Sequence, residues 1–195
     1  MPSQAYGIFE RLEDQVTEIR QAAAREVRAG ELASGPILLR TCIVLMVAAF
    51  DTYIHDQSVR LLHAQAAKGS QEAAAVAKYL GRLKSSDVTG QQAQGLIRYR
   101  LSYRTLVAPS KVDEVLQAAG VDADDIWLKA AMAIGSRPDR MQMQLQLQYD
   151  RRNQIAHEGD WDTVAVDFRY IDDAHVTDCS KCIRDIVTQF DALLP

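Results

Sequence analysis

Apolar residues recur along this chain at helical spacing from one end to the other, and strand-like alternation nowhere dominates. Over residues 5–28, Phe9, Leu12, Val16, Ile19, Ala23 and Val27 fall at steps of three and four, which predicts an amphipathic helix. Gly30, Gly35 and Pro36 break that pattern, and Pro36 suits the first turn of the next helix. The second helix is predicted to reach about His63. Its middle, CIVLMVAAF at residues 42–50, is apolar on every side, as in a helix at the centre of a bundle. Residues 71–83 predict an Ala-rich helix, followed by a Ser-Ser-Asp loop near Gly90, and residues 91–107 predict another, stopped before Pro109. Ser110 is a candidate cap for a short helix ending at Gly120, and Asp122 or Asp124 for one ending at Gly135. Pro138 opens a helix through RMQMQLQL, residues 140–147, with Gly159 as the residue that stops it. Residues 159–168 lack a helical pattern and are expected to form an extended loop. Ile171, Val176, Cys179, Ile183, Ile186, Phe190 and Leu193 then mark one stripe of a final helix. The expected fold is all-α: a single-domain helical bundle with a long central helix, short inserted helices and a C-terminal helix.

Composition adds bounds. At 195 residues, 48% hydrophobic and 25% charged, the chain suits one domain with a substantial core. A net charge of −4 argues against a protein coated in positive charge, while leaving room for a local basic groove. The longest apolar run, residues 37–50, contains Arg40 and Thr41 and falls short of the roughly 20 residues that span a bilayer. The amino terminus has neither a basic n-region nor an apolar h-region, so no signal peptide and no membrane partner are expected. Cys179 and Cys182 form a CxxC without a second pair or a nearby histidine couple. They read as a core thiol and a half-buried one rather than a metal or redox site, in a cytoplasmic protein that needs neither metal nor cofactor.

The stretch that carries chemistry is RRNQIAHEGD, residues 151–160. Arg152, Asn153 and His157 fall in the last turns of the Pro138 helix. Asn153 and His157 are i, i+4 neighbours, and Arg152 lies further round the cylinder. The set offers a cation for phosphate, a polar orienter and a titratable imidazole. Helix C-termini favour cations, which suits His157 to acid or electrostatic work. The same placement also serves as an ordinary stabilised helix end without function.

In an all-α chain of this size, that string resembles the HEPN superfamily, whose signature is an Arg, four to six residues, then a His, with a polar residue directly after the Arg. Arg152, Asn153 and His157 satisfy it with four intervening residues; Arg151 fits with five but lacks the following Asn. The run LMVAAFDTYIHD, residues 45–56, is similar to the long early helix of the RiboL-PSP branch, and residues 70–135 match only loosely. The resemblance implies a metal-independent endoribonuclease acting as a homodimer, with two motif helices meeting in a composite site. In this chemistry the RNA 2′-hydroxyl is the nucleophile, so the protein has only to move protons and stabilise a crowded phosphate. It also implies a toxin–antitoxin or anti-phage defence setting, with an antitoxin or defence-complex protein as a possible partner. Some members keep the fold as silent scaffolds that bind a nucleotide or a protein, which is the alternative expectation.

Further candidates flank the motif. Asp51, at the end of the apolar run, is a candidate to accept from Arg152 or His157 and so orient them, in line with the resemblance. Its i+4 neighbour His55 equally reads as half of a local pair. Arg98, Arg100, Arg104 and Lys111, interleaved with Tyr99 and Tyr103, form the best sequence candidate for a phosphate-tracking surface, to which Arg137, Arg140 and Arg151 could add. A solvated helix face is the plain alternative. His63 and His175 read as surface or helix-end residues, and Trp127 and Trp161 as core or docking anchors.

Overall fold

The structure, a computed structural model, describes residues 2–29, 34–81 and 83–195. It is an all-α bundle whose helices, in chain order, are α1 (Gln4–Ala29), α2 (Ser34–Ala66), α3 (Ser70–Leu80), α4 (Ser85–Thr89), α5 (Ala93–Leu101), α6 (Pro109–Ala118), α7 (Ala123–Ala133), α8 (Pro138–Glu158) and α9 (Asp173–Leu193). A two-stranded hairpin, β1 (Trp161–Asp162) with β2 (Asp167–Phe168), separates the last two helices. The expected break at Gly30 lies outside the described residues.

Four long helices make the frame. α1 and α2 run antiparallel: Gln57 donates to Ser3 Oγ (2.9 Å) at one end, and Ser34 donates to Glu26 (3.0 Å) at the other. α9 runs antiparallel to α1 and is tied to it by Arg20 with Asp173 (2.5 Å), Arg184 with Glu13 (2.8 Å), and Ser3 with Asp191. α2 packs against α1, α3, α5, α8 and α9, and its middle (Cys42, Ile43, Met46, Val47, Ala49, Phe50, Tyr53) is almost wholly buried. That is why its sequence is apolar all round. By length and composition alone α2 could cross a membrane, but half of its most apolar window is buried among its neighbours, which makes it the core helix of the bundle. It ends at Ala66, three residues past the predicted His63.

The inserted helices α3–α6 pack on α2, and α7 packs on α6, α8 and α9. Trp127 on α7 is buried against Phe190 of α9, ring centroids 4.8 Å apart, with its indole N–H on Asp113 of α6 (2.6 Å). The molecule thus has two poles. One holds the inserted helices; the other holds the start of α2, the end of α8 and the hairpin.

Several expected boundaries move, each for a local reason. α3 stops at Leu80 rather than 83, because Gly81 at φ +81° turns the chain and donates to the last carbonyls. The Ser-Ser-Asp segment is helical, since Asp87 accepts the Lys84 amide (2.8 Å) and Val88 is buried. α5 ends at Leu101 rather than 107. Tertiary partners take over there: Asp51 accepts the Leu106 amide (2.9 Å), His55 meets the Leu101 carbonyl (3.1 Å), and Leu106 and Val107 bury themselves in the core. Ala108, not Ser110, is the N-cap of α6, because Pro109 already opens the helix. Asp122 caps α7, accepting from the Asp125 amide (3.1 Å). Within residues 159–168 the expected loop closes into the hairpin, with Trp161 opposite Phe168.

Candidate active site

α8 ends where the sequence places it. Gly159 adopts φ +64°, the left-handed conformation in which glycine has no steric penalty, and Asp160 follows at φ +60°. Asp160 is wholly buried, and its amide donates to the Gln154 carbonyl (3.0 Å). A buried carboxylate needs partners, and it has two guanidinium groups. Arg151 on α8 grips both oxygens in a fork, and Arg40 on α2 donates from Nε to Oδ2 (2.5 Å). Arg40 also donates to the Arg169 carbonyl (2.8 Å), and Arg169 donates to the Trp161 carbonyl (2.9 Å) and pairs with Glu158 (3.2 Å). One carboxylate therefore locks three elements: the α8 terminus, the start of α2 and the hairpin. Two arginines on one aspartate leave a positive charge uncompensated there.

Arg151, expected as an RNA contact, is thus committed to a structural clamp. Sequence reasoning missed Asp160 and Arg40. A signal for Arg40 existed, because a charged residue inside a largely apolar run must find a partner when it is buried.

Within the motif the three residues take different surroundings. At 100° per residue, Arg152 points about 140° away from His157 and shares the inner face of α8 with the buried Met141 and Leu145. Its Nη1 donates to Asn153 Oδ1 (3.0 Å), while its Nε is buried without an acceptor. Asn153 thus holds one end of the Arg152 guanidinium. His157 is exposed on the outer face. Met143 and Leu147 stand on that same face, each more than half exposed.

Asp51 does not join the motif, contrary to expectation. Its carboxylate accepts from the Leu106 amide and lies 3.3 Å from His55 Nδ1, and it bonds to neither Arg152 nor His157. Asp51 is eleven residues beyond Arg40, roughly 16 Å further along α2 and on the side of the inserted helices. His55 is bracketed by oxygens: the Asp51 carbonyl 2.8 Å from Nδ1, and the Leu101 carbonyl 3.1 Å from Nε2. Burial works against a charged ring, but the Asp51 carboxylate and the two carbonyls outweigh it and hold His55 up to about 9.

The basic candidates gather at the far pole. Arg98 pairs with Asp56, and Arg104 donates to the Tyr79 carbonyl (2.8 Å) and lies over the Tyr79 ring, 4.7 Å from its centroid. Lys111 pairs with Glu114 (2.6 Å), and Arg100 keeps a buried Nε without an acceptor. Tyr99 and Tyr103 are exposed and meet edge to face, 5.2 Å apart, with a hydrogen bond between their hydroxyls. α5 does not pack against α8. Arg140 is exposed at the start of α8, seventeen residues or about 25 Å from His157. These cations do not extend the motif's surface.

The remaining candidates are structural. Burial pushes the thiols of Cys179 and Cys182 up to about 12 and that of Cys42 to about 11, which makes them poor nucleophiles. His175 shares a capping box with Asp172 at the start of α9, and the His175 hydrogen bonds hold the Asp172 carboxyl below the usual range. His63 lies 3.3 Å from the Gln94 amide nitrogen. Among the described residues, no group of three or more His, Cys, Asp or Glu is placed to hold a metal ion.

Next to the motif opens a groove of about 730 Å³ between the start of α2, the end of α8 and the hairpin. Ile155, about 160° round α8 from His157, and Gly159 line its edge, with Ile37, Arg40, Phe168 and Tyr170 opposite. No family model matches the chain, and no curated protein or solved structure is significantly similar to it.

Proposed function

We propose that this protein is a metal-independent endoribonuclease of HEPN type, acting in the cytoplasm as a homodimer. Support comes from one arrangement: a guanidinium oriented by Asn153 and an exposed imidazole, both at the end of α8. In the proposed reaction the RNA 2′-oxygen attacks the adjacent phosphorus and loses its proton. The P–O5′ bond breaks, the departing 5′-oxygen takes up a proton, and a 2′,3′-cyclic phosphate remains. His157 transfers a proton in one of these steps, and Arg152 stabilises the charge that grows on the non-bridging oxygens.

A single chain supplies one imidazole, whereas the reaction moves two protons. A second copy docked on the Met143 and Leu147 face would bring a second motif to the same phosphate, with the two histidines near the two-fold axis. A toxin or anti-phage role, held in check by an antitoxin or a defence-complex partner, is the setting that the motif resemblance suggests.

The test is cleavage of a labelled RNA in EDTA. Wild type should cut and leave cyclic-phosphate ends. Arg152→Ala and His157→Ala should each abolish most cleavage, with Asn153→Ala milder, and RNA binding should weaken more for Arg152→Ala. Cleavage that requires a divalent ion, or that survives in His157→Ala, would sink the proposal. The wide angle between Arg152 and His157 on one helix favours a second reading if no dimer forms, a silent scaffold that binds a nucleotide or a protein.

A further inference from the structure

We infer that the groove at the end of α8, on the side of Arg152, seats an unpaired base of the RNA, next to the phosphate that is cut; this rests on the ribonuclease reading above. On α8 the groove is lined by Gly159 and by Ile155, which stands about 60° round the helix from Arg152, and its volume, about 730 Å³, lies within the range that holds a nucleotide-sized ligand. Its walls contain two arginines, Arg40 and Arg169; Arg169 is paired with Glu158, while Arg40 shares the single carboxylate of Asp160 with Arg151 and so leaves one positive charge at the groove. An apolar slot with cations at one end fits an anion with a flat apolar body. A nucleotide within a strand has that form.

Aromatic rings stand where a base would stack. Phe168 is braced by Arg40, 5.2 Å from its centroid, and by the Trp161 ring edge to face at 5.3 Å, yet 57% of its surface remains open. Tyr170 is 76% exposed, its hydroxyl fastened to Asp172 (3.2 Å). The buried Asp160 clamp holds this hairpin against α8, so the rings are presented on a fixed support. Stacking on such platforms tolerates any base but requires it to be unpaired, because bases inside a duplex cannot reach a ring. A second copy is the poorer occupant. An isologous contact centred here would set Arg40 and Arg169 against their own duplicates.

The experiment uses the full chain carrying His157→Ala, so that RNA is not consumed, in EDTA. Fluorescence anisotropy is read with a labelled single-stranded 12-mer, with the same sequence as a blunt duplex, and with AMP as competitor. The single strand should bind at least tenfold more tightly than the duplex. Phe168→Ala and Tyr170→Ala should each weaken it roughly tenfold, while Phe168→Trp should retain affinity. Ile37→Glu, which sets a carboxylate in the groove, should weaken it too, and all three positions are exposed enough to leave the melting temperature in place. Unchanged affinity in the folded aromatic variants overturns the inference. So does AMP competing as tightly as the 12-mer, or a shift in self-association with RNA affinity unaltered. Binding through these rings without any cleavage by the wild type would remove the nuclease and leave the groove standing. Cleavage with intact RNA affinity in Phe168→Ala and Tyr170→Ala would do the reverse.

Discussion

Asp160 is the residue on which the motif's geometry depends, although no chemistry is assigned to it. It is fully buried at φ +60°, between Arg151 and Arg40, whose side chains are themselves mostly covered. Removing one partner of such a group strands the others without counter-charge, which costs more than the group contributed. Asp160→Ala should therefore destabilise the protein by about 3 kcal/mol in urea titration, and Arg40→Ala by less, since Arg151 still grips the carboxylate. A loss below about 1 kcal/mol for Asp160→Ala would mean that water reaches the clamp and that it does not fix the hairpin. Asp160 also shows why part of the site stayed hidden in the sequence. The carboxylate sits inside RRNQIAHEGD, but nothing local marks it as buried; its burial comes from Arg40, 120 residues earlier in the chain.

At the scale of elements, α8 carries two faces with separate duties. Met141, Leu145 and Arg152 turn inward, while Met143, Leu147 and His157 turn outward. Paired exposed apolar residues beside the motif give the proposed dimer its seam. Met143→Glu combined with Leu147→Glu should leave the helix content intact, convert the protein to monomer in sedimentation velocity, and abolish RNA cleavage together with the dimer. A double variant that stays dimeric and active would place the seam elsewhere. Legibility also divides by element. The long helices could be read directly, because apolar periodicity, Pro138 and Gly159 all act within a turn or two of the residues they govern. α5 was overrun by six residues because Leu106 and Val107 look helical in isolation. Only Asp51 and His55, brought from α2, show why the backbone leaves the helix there. The hairpin was invisible as strand since it has two residues per side and owes its shape to the clamp rather than to alternation. Likewise the resemblance implies an acidic residue at Asp51 beside the motif, and the rise of α2 carries it to the other pole.

For the whole molecule, His55 joins the central helix to the inserted helices by facing acceptors on both ring nitrogens. A neutral ring can donate from only one nitrogen, so the protonated form is the one that fits. Its value is raised in the fold, from about 6.5 in the unfolded chain to about 9. Its contribution is then complete below about 6.5 and fades as pH rises through about 9. The stability difference between wild type and His55→Gln should accordingly shrink by about 3 kcal/mol between pH 6 and pH 10. A difference that holds constant over that range would show that His55 does not titrate as described. The Asp160 clamp has a consequence in time as well as in space. α1 and α2 are neighbours in sequence and can fold against each other as soon as both have left the ribosome, whereas Arg40 must wait for a carboxylate 120 residues downstream. Closing so long a loop is entropically slow, and the contact cannot nucleate folding. A nascent chain halted before residue 160 would thus hold a formed helical hairpin with an unanswered arginine and no finished motif. The motif's geometry would be complete only once residue 160 had been made, a delay that, under the proposed ribonuclease reading, would spare the RNA of the cell producing it.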